Sequence, residues 1–317
     1  MSKLGRYLRM FAHWTKMLLG SSYYHLPQGL GRAFVPGRLE GYFNDLTVKT
    51  KWKGSIDEEG IPINLREDGS IVYFTTTVVQ KALGHWDKWL LSHDVKEKEA
   101  FLMICNWLVK NQDKQGGWPL WSQVKLSLPS PYSAMTQGES VSALVRAWYL
   151  TRDEIYLSAA RRALRLMFVP VEKGGIVRRL PDGVILEEIP SWHLSGILNG
   201  WIFALFGLYD FLLVEKDLEA HKLLEDSLQT LITYLPRYNA GYWSFYDLQG
   251  NLASPFYQRL HIAQLEALEL AFPEHAEVFC RYRYEFSRQM TSWINCGRAI
   301  VVKAWQKLKN PPEVVLK

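Results

Sequence analysis

Apolar residues recur at helical spacing along most of the chain from about residue 72 onward. The first two such segments are "TTVVQKALGHWDKWLL" and "VKEKEAFLMICNWLVKNQD", and the second ends at the glycine pair Gly116–Gly117. Apolar residues three or four apart share one face of a helix, and glycine often follows the end of a helix. The two segments therefore predict a pair of helices joined by a short turn.

The same arrangement recurs downstream. "MTQGESVSALVRAWYLT" pairs with "DEIYLSAARRALRLMF", and "WHLSGILNGWIFALFGLYDFLL" pairs with "DLEAHKLLEDSLQTLITYLPRY"; "LHIAQLEALELAF" and a basic helix near 275–309 follow. Helix pairs joined by short loops predict a mainly α fold built from α/α hairpins, either a solenoid or an (α/α) barrel or toroid. No sequence repeat of fixed period is visible, which disfavours a short-motif solenoid.

Two segments interrupt the helices. "GGIVRRLPDGVILEEIP" has a Pro-Asp-Gly turn between two apolar runs and predicts a β-hairpin, and "AGYWSFYDLQGNLASPFYQ" predicts a second hairpin or irregular loop. Loops on a rigid scaffold often carry binding and catalytic residues. We therefore expect both segments to line a cleft.

Residues 21–70 contain many glycines and prolines and short alternating runs. "LTVKTKWKG" and "SIVYFTT" predict strands, and "EDGS" predicts a turn. These patterns divide the chain into an N-terminal helix at 1–20, a small β-rich region at 21–72 and a helical (α/α) domain at 73–317.

The first 20 residues predict an amphipathic helix with a basic border. The apolar side chains that share one face are Leu4, Tyr7, Leu8, Phe11, Trp14 and Leu18, and the cations beside them are Lys3, Arg6, Arg9 and Lys16. Such a helix either contacts a membrane peripherally, through residues 3–19, or docks on its own domain. The segment lacks the features of a signal peptide, so we expect a cytoplasmic protein, in the first case at the inner membrane face.

Composition and charge place few limits on the class of substrate or binding partner. The net charge of +5 on 317 residues suits an acidic substrate and does not demand nucleic acid. The 13 Trp, 16 Tyr and 14 Phe fit either a sugar-stacking cleft or an aromatic-rich core. Cys105, Cys280 and Cys296 are widely spaced and predict no disulfide framework, and Cys105 is expected to be buried.

Sequence signatures of several enzyme classes do not occur in the chain. It contains no HExxH, Walker, GxSxG or Rossmann glycine pattern. Metal, nucleotide and serine-hydrolase chemistry are therefore disfavoured, and we expect no metal and no cofactor.

Acidic and aromatic residues in the two interrupting segments are candidates for chemistry. Glu187 and Glu188 are adjacent on a predicted strand, so only one faces a cleft and the other is expected in solvent. Tyr257 and His261 are four residues apart and share a helix face, either as a proton-transfer pair or as structural residues. A tyrosine base needs a nearby cation or donor, for which Arg259 and a protonated His261 are candidates.

Several pieces in order carry a family resemblance. They are "WLVKNQDKQGGWP", "YSAMTQGESVSALVRAWYLT", "LEEIPSWHLSGILNGWIFALFGLYD", "SFYDLQGNLASPFYQRLHIAQL" and the basic terminal helix, about two thirds of the chain. With these pieces the sequence resembles the C-terminal catalytic region of D-glucuronyl C5-epimerases. Enzymes of that family convert glucuronate to iduronate within heparosan-type polysaccharides.

The resemblance implies an (α/α) barrel and a set of site residues. It assigns catalytic roles to Glu188, Tyr246 and Tyr257. The residues that we expect to contact substrate are His261, Arg259, Trp118, Gln137, Trp192, Tyr242 and Asn199. The sequence departs from the family pattern where Ile189 replaces a tyrosine, Gln258 a histidine and Gln249 an arginine.

The implied function is C5 epimerisation of glucuronate within a polymer, by removal of H5 and return of a proton to the opposite face. Tyr246 and Tyr257 are expected to be the opposed acid and base, with Glu188 positioning the sugar and facing into the cleft. Two alternatives stay open: a uronate polysaccharide lyase on an (α/α) toroid, and an inactive protein that binds or assembles a uronate polysaccharide. The partner is in each case an acidic polysaccharide, and the sequence leaves open whether the protein is a homodimer.

Overall fold

The computed structural model describes residues 25–66 and 68–309. Within these ranges the chain is mainly helical, as predicted, with short strands in two hairpins. The helices are α1 (Thr75–Ser92), α2 (Val95–Lys110), α3 (Leu120–Gln123), α4 (Ala134–Thr151), α5 (Glu154–Leu166), α6 (Leu198–Leu212), α7 (Leu218–Tyr234), α8 (Pro255–Ala271), α9 (Ala276–Thr291) and α10 (Trp293–Lys309). The strands are β1 (Asn64–Leu65), β2 (Ile71–Val72), β3 (Val177–Leu180) and β4 (Gly183–Leu186).

Local sequence signals fix where the major helices begin. Several helices start after a Ser or Asp whose side chain accepts a hydrogen bond from a backbone N–H of the first turn, which satisfies a donor that the helix cannot. These capping residues are Asp94, Ser133, Asp153, Asp217 and Ser254. Asp94 and Asp153 start α2 and α5 only two residues after α1 and α4 end. Because these links are so short, each pair of helices is antiparallel.

The helices form two layers. α1, α4, α6 and α8 pack side by side in that order, and α2, α5, α7 and α9 each pack on the outer side of their partner. This arrangement is the α/α toroid type and confirms the predicted fold class, although in the described residues the ring is not closed into a barrel. The basic helix predicted near 275–309 is two helices, α9 and α10, separated at Ser292.

The two predicted interruptions are present, and one predicted strand is not. β3 and β4 pair antiparallel, with Val177 opposite Leu186, and two isolated bridges hold the second loop at 239–254. The predicted strand at 46–54 is wrong: a 3-10 turn covers Thr47–Thr50. Asp45 accepts bonds from the backbone N–H and the hydroxyl of Thr47, which favours a local turn over strand pairing.

The N-terminal helix predicted at 1–20, with its membrane-contact residues 3–19, lies outside the described residues. The division of the chain into three regions therefore stays a prediction. Across 25–66 and 68–309, none of the helices combines the length and the apolar character needed to cross a bilayer.

Helices α4 and α6 approach one another at backbone contact. A Cβ at Gly207 would lie 2.4 Å from the Cα of Gly138, and a Cβ at Gly138 would lie 2.6 Å from the Cα of Ala204. The same two helices also carry a buried ion pair. The guanidinium of Arg146 on α4 pairs with the carboxylate of Asp210 on α6 at 2.5 Å. Two glycines and one internal ion pair therefore fix the central helix crossing.

We expect Gly207→Ala to lower the free energy of unfolding by about 1–3 kcal/mol, because the added methyl meets helix backbone rather than a movable side chain. Urea unfolding followed by circular dichroism measures the change. Gly297→Ala is the matched control: nothing lies within 4 Å of a Cβ there. In that exposed helical position alanine should stabilise by up to ~1 kcal/mol. An unchanged urea midpoint for Gly207→Ala would contradict the tight crossing.

Candidate active site

The candidate site lies where the loops before α6 and α8 meet the first turns of those helices. Glu188 follows β4, Asn199 is in the first turn of α6, Tyr246 is in the 239–254 loop, and Tyr257 is in the first turn of α8. The backbone N–H of Leu198 donates to the carbonyl of Tyr246 at 3.0 Å, which joins the two loops. The fold thus brings the three residues with expected catalytic roles into one place.

Tyr246 and Tyr257 form a hydrogen-bonded pair. Their ring centroids are 4.7 Å apart, and both side chains are half-buried. Burial first, and then the negative charge of Glu188, raise the pKa of both phenols. The bond between the hydroxyls opposes the rise in the pKa of Tyr257 and adds to that of Tyr246. The interaction between the two hydroxyls therefore supports negative charge on the Tyr257 oxygen.

Glu188 is a carboxyl poised near neutral pH. Its Oε2 accepts a hydrogen bond from Asn199 Nδ2 at 3.3 Å, and its side chain lies over Gly200, where a Cβ would be 2.1 Å from Oε2. Burial raises the pKa of Glu188 to about 8, and the charge of Glu187 adds to the shift. Such a group can both accept and donate a proton at physiological pH.

Glu187 is not in solvent, so the expectation from strand alternation is wrong. It is fully buried and pairs with Arg178, whose Nε donates to Oε1 at 2.7 Å. Its oxygens also accept from the backbone N–H groups of Ser195 and Gly196 and from the Ser195 hydroxyl. Because a buried charge needs such partners, the 188–196 loop folds around Glu187. Glu187 is thus the internal anchor of the loop that follows Glu188.

His261 does not supply positive charge to the tyrosines. It is fully buried on α8, and Nδ1 is 2.9 Å from the Ser244 hydroxyl, which itself donates to Gln258 Oε1 at 2.6 Å. Burial lowers the pKa of His261 to about 3, so the ring is neutral at physiological pH. Gln258 also accepts from the Ser244 backbone N–H at 2.8 Å. These residues attach the loop that carries Tyr246 to the helix that carries Tyr257.

Three other expected contacts are misplaced. Trp118 is buried in the main core and donates to the Leu108 carbonyl at 3.0 Å, so it cannot stack on a sugar. Gln137 is fully buried and donates to the carbonyls of Gly116 and Ala163, each at 3.2 Å. Arg259 is exposed two positions after Tyr257, on a different side of α8.

The remaining expected contacts differ in exposure, from the exposed Trp192 to the buried Asn199, and they stay predictions. Trp192 is 77% exposed on the loop anchored by Glu187. Tyr242 is half-buried under the guanidinium of Arg298, 3.8 Å from its ring centroid. Asn199 is held by its bond to Glu188. Ile189, which stands where the family has a tyrosine, packs against the apolar cluster around Trp121.

The sequence reading missed an internal carboxyl on α4. Glu139 is fully buried, and its Oε1 accepts from Gln80 Nε2 of α1 at 2.9 Å. Burial raises the pKa of Glu139 to about 8; Lys49 opposes the shift and Glu188 adds to it. The segment "TQGESVS" was a sequence signal for this unusual site. It places polar residues on every side of the helix, whereas a helix at the surface has an apolar face toward the core and a polar face toward solvent.

A metal site is not formed by the described residues. In 25–66 and 68–309, no three His, Cys, Asp or Glu side chains converge as a metal ion would require. Cys105 is buried and free, as expected, and Cys280 and Cys296 are also free.

Comparison with known proteins gives a consistent family. A sequence model of the D-glucuronyl C5-epimerase C-terminus matches residues 112–288. A D-glucuronyl C5-epimerase of Caenorhabditis elegans is 30% identical over 233 residues, covering 64% of this chain and 38% of that protein. An uncharacterized protein of Methanocaldococcus jannaschii is 32% identical over 153 residues, covering 47% of this chain and 49% of that one. The matched part thus spans less than half the length of these relatives.

Among solved structures, a UGL variant in complex with dGlcA-Glc-Rha-Glc superposes with a TM-score of 0.49. Its sequence is 13% identical, and the superposition covers 68% of this chain and 61% of that chain.

We expect Glu139→Gln to flatten the pH dependence of stability. The pKa of Glu139 rises from 4.5 to about 8 on folding, so the folded state keeps a proton that the unfolded state loses in that interval. The free energy of unfolding should therefore fall as pH rises from about 4.5 to about 8. At about 1.4 kcal/mol per unit of pKa, the contribution is on the order of a few kcal/mol.

Melting temperatures between pH 4.5 and 8.5 measure this effect. The isosteric glutamine keeps the acceptor for Gln80 and removes the titration, so the variant should gain stability over wild type at pH 8. Glu99→Gln, at an exposed position on α2, is the control and should follow the wild-type curve. Parallel curves for Glu139→Gln and wild type would show that Glu139 does not titrate in this range.

Proposed function

The chain belongs to the D-glucuronyl C5-epimerase family, and on that premise we propose that it inverts C5 of D-glucuronate residues within an acidic polysaccharide. The observation that carries the proposal is the meeting of Glu188 with the hydrogen-bonded pair Tyr246–Tyr257. A carboxyl with a pKa of about 8 beside two phenols is suited to proton transfer at a weakly acidic C–H bond.

The reaction needs two groups on opposite faces of the sugar. H5 is α to the uronate carboxylate, and its removal places negative charge on that carboxylate as an enolate. Donors aimed at the developing charge lower the barrier. A second group must then return a proton to C5 from the other face to give the L-iduronate configuration.

The two tyrosines do not suit the opposed roles expected from the sequence. Because their hydroxyls interact with one another, we place both tyrosines on the same side of the bound ring. We therefore assign one face to Glu188 and the other to Tyr257. Ionised Glu188 takes H5, and neutral Tyr257 gives its proton to C5. Tyr246, as donor to the Tyr257 oxygen, stabilises the phenolate that forms.

The reverse reaction exchanges the two roles, with Tyr257 as base and Glu188 as acid. The pKa of Tyr257 is raised in the free protein, so this direction depends more on the hydrogen bond from Tyr246. Glu188, Tyr246 and Tyr257 together can serve both directions of the reaction. This mechanism needs no reactive side chain at position 189, where Ile189 packs on the apolar cluster around Trp121. The same isoleucine motivates the second candidate, an inactive protein that binds uronate polysaccharide.

Heparosan incubated with the protein in D₂O should gain deuterium at C5 of its uronates, with new iduronate signals in the NMR spectrum. A lyase would share the first step and then expel the C4 oxygen, raising the ultraviolet absorbance through the unsaturated uronate that β-elimination forms. Absorbance should stay flat for an epimerase. Binding without either change would support the inactive protein instead.

Glu188→Gln and Tyr257→Phe should each reduce deuterium exchange about 100-fold or more, the usual effect of removing an acid–base group. Wild-type exchange from glucuronate should rise with pH through about 8, as Glu188 loses its proton, and Glu188→Gln should lose that rise. Tyr284→Phe, at an exposed position on α9, is the matched control and should exchange normally. Full exchange by Tyr257→Phe would remove Tyr257 from the proposed role.

A further inference from the structure

Helix α10 turns its lysines toward the domain and its apolar residues outward. Its exposed side chains include Trp293, Ile294, Val301, Trp305 and Leu308. Lys303, Gln306 and Lys307 are half-buried and, being three or four apart, share the opposite face. The helix contains no Asp or Glu. Lysine usually keeps its ammonium group in water, so a helix that turns two lysines inward indicates a use for their charge.

Gln306 holds this inner face against the loop that carries Tyr246. Its Oε1 accepts from the backbone N–H of Leu252 at 2.9 Å, and its Nε2 donates to the carbonyl of Gly250 at 2.9 Å. Ala299, further up the same face, packs in the cluster around Trp243. The position of α10 relative to the candidate site is therefore fixed by hydrogen bonds as well as by packing.

Lys303 lies one turn before Gln306 and reaches the site. Its Nζ is 5.5 Å from the centroid of the Tyr246 ring. Arg178 is paired with Glu187, and Arg259 is exposed on another side of α8. Lys303 is thus a cation that the fold brings to the tyrosine pair and that is not used in an ion pair there.

The loop carboxylate whose charge interacts with Lys303, Asp247, is also hydrogen-bonded within its own turn. Its Oδ1 accepts from the backbone N–H groups of Gln249 and Asn251, and its Oδ2 accepts from Asn251 Nδ2 at 2.7 Å. In the part of the chain that the structure describes, Lys303 and Lys307 form no ion pair. Burial lowers the pKa of Lys303 to about 8; the charge of Lys307 adds to the shift, and the charge of Asp247 partly opposes it. Two partly buried like charges would be relieved by a bound anion.

We propose that Lys303 binds the carboxylate of the uronate, with the charge of Lys307 beside it. This inference rests on the proposed function and names the group that recognises the acidic sugar. An ammonium at the carboxylate also stabilises the charge that develops there when H5 leaves. Lys303 would therefore select uronates over neutral sugars and contribute to the reaction itself.

The test compares Lys303→Met with wild type on two probes, a heparosan oligosaccharide and its carboxyl-reduced counterpart, in which glucose replaces glucuronate. Affinity is measured by calorimetry at low salt. We expect the variant to bind heparosan about 10- to 100-fold more weakly, the usual effect of losing a charge-assisted bond. Its affinity for the carboxyl-reduced probe should not change. Lys303→Arg should keep most of the heparosan affinity.

Lys309→Met is the matched control, because this lysine is exposed on the same helix; it should bind as wild type does. Thermal melts check that each variant is folded. Two results would overturn the inference: an undiminished preference of Lys303→Met for the carboxylated probe, or no such preference in wild type. Deuterium exchange at C5 is followed in parallel. Selective binding without exchange would refute the epimerase proposal and leave the assignment of Lys303 intact.

Discussion

The contact between α4 and α6 is the constraint on which the rest of the structure depends. Glycine at 138 and 207 lets the two backbones touch, and any side chain there would push the helices apart. The buried pair of Arg146 and Asp210 fixes the same crossing, and the guanidinium also binds carbonyl groups of the N-terminal region at Glu40 and Gly41. The neighbouring helices are arranged around this crossing.

The crossing sets the electrostatics of the site. It buries polar residues near the N-terminal ends of both helices, Glu139 of α4 and Asn199 of α6. Glu188 then lies over Gly200 against this interior and is coupled to Glu139 by charge. Two neighbouring acids thus have different surroundings: Glu187 is bound by an arginine and several N–H donors, whereas Glu188 has one amide donor and a raised pKa. The first organises a loop, and the second is the group that we propose for proton transfer.

The tyrosine pair depends on a second set of polar contacts. Ser244, Gln258 and His261 form a buried network between the 239–254 loop and α8. It holds the Tyr246 ring on the loop 4.7 Å, centroid to centroid, from the Tyr257 ring on the helix. Helix α10 closes the same loop from outside through Gln306, and the inward position of Lys303 follows from that contact. The exposed side of α10 carries the large apolar residues Trp293, Val301 and Trp305.

The sequence by itself determined what depends on near neighbours. Apolar spacing and Ser or Asp caps act within one helix turn, so the helical hairpins and the β3–β4 hairpin were predictable, and ordered motifs singled out Glu188, Tyr246 and Tyr257. Tertiary structure alone decided which polar residues lie inside. Strand alternation could not foresee the partners that bury Glu187, and helix periodicity could not show that Trp118, Gln137 and His261 serve the interior. Glu139 and Lys303 were missed for the same reason: their surroundings come from segments far away in the chain, through packing that no local pattern encodes.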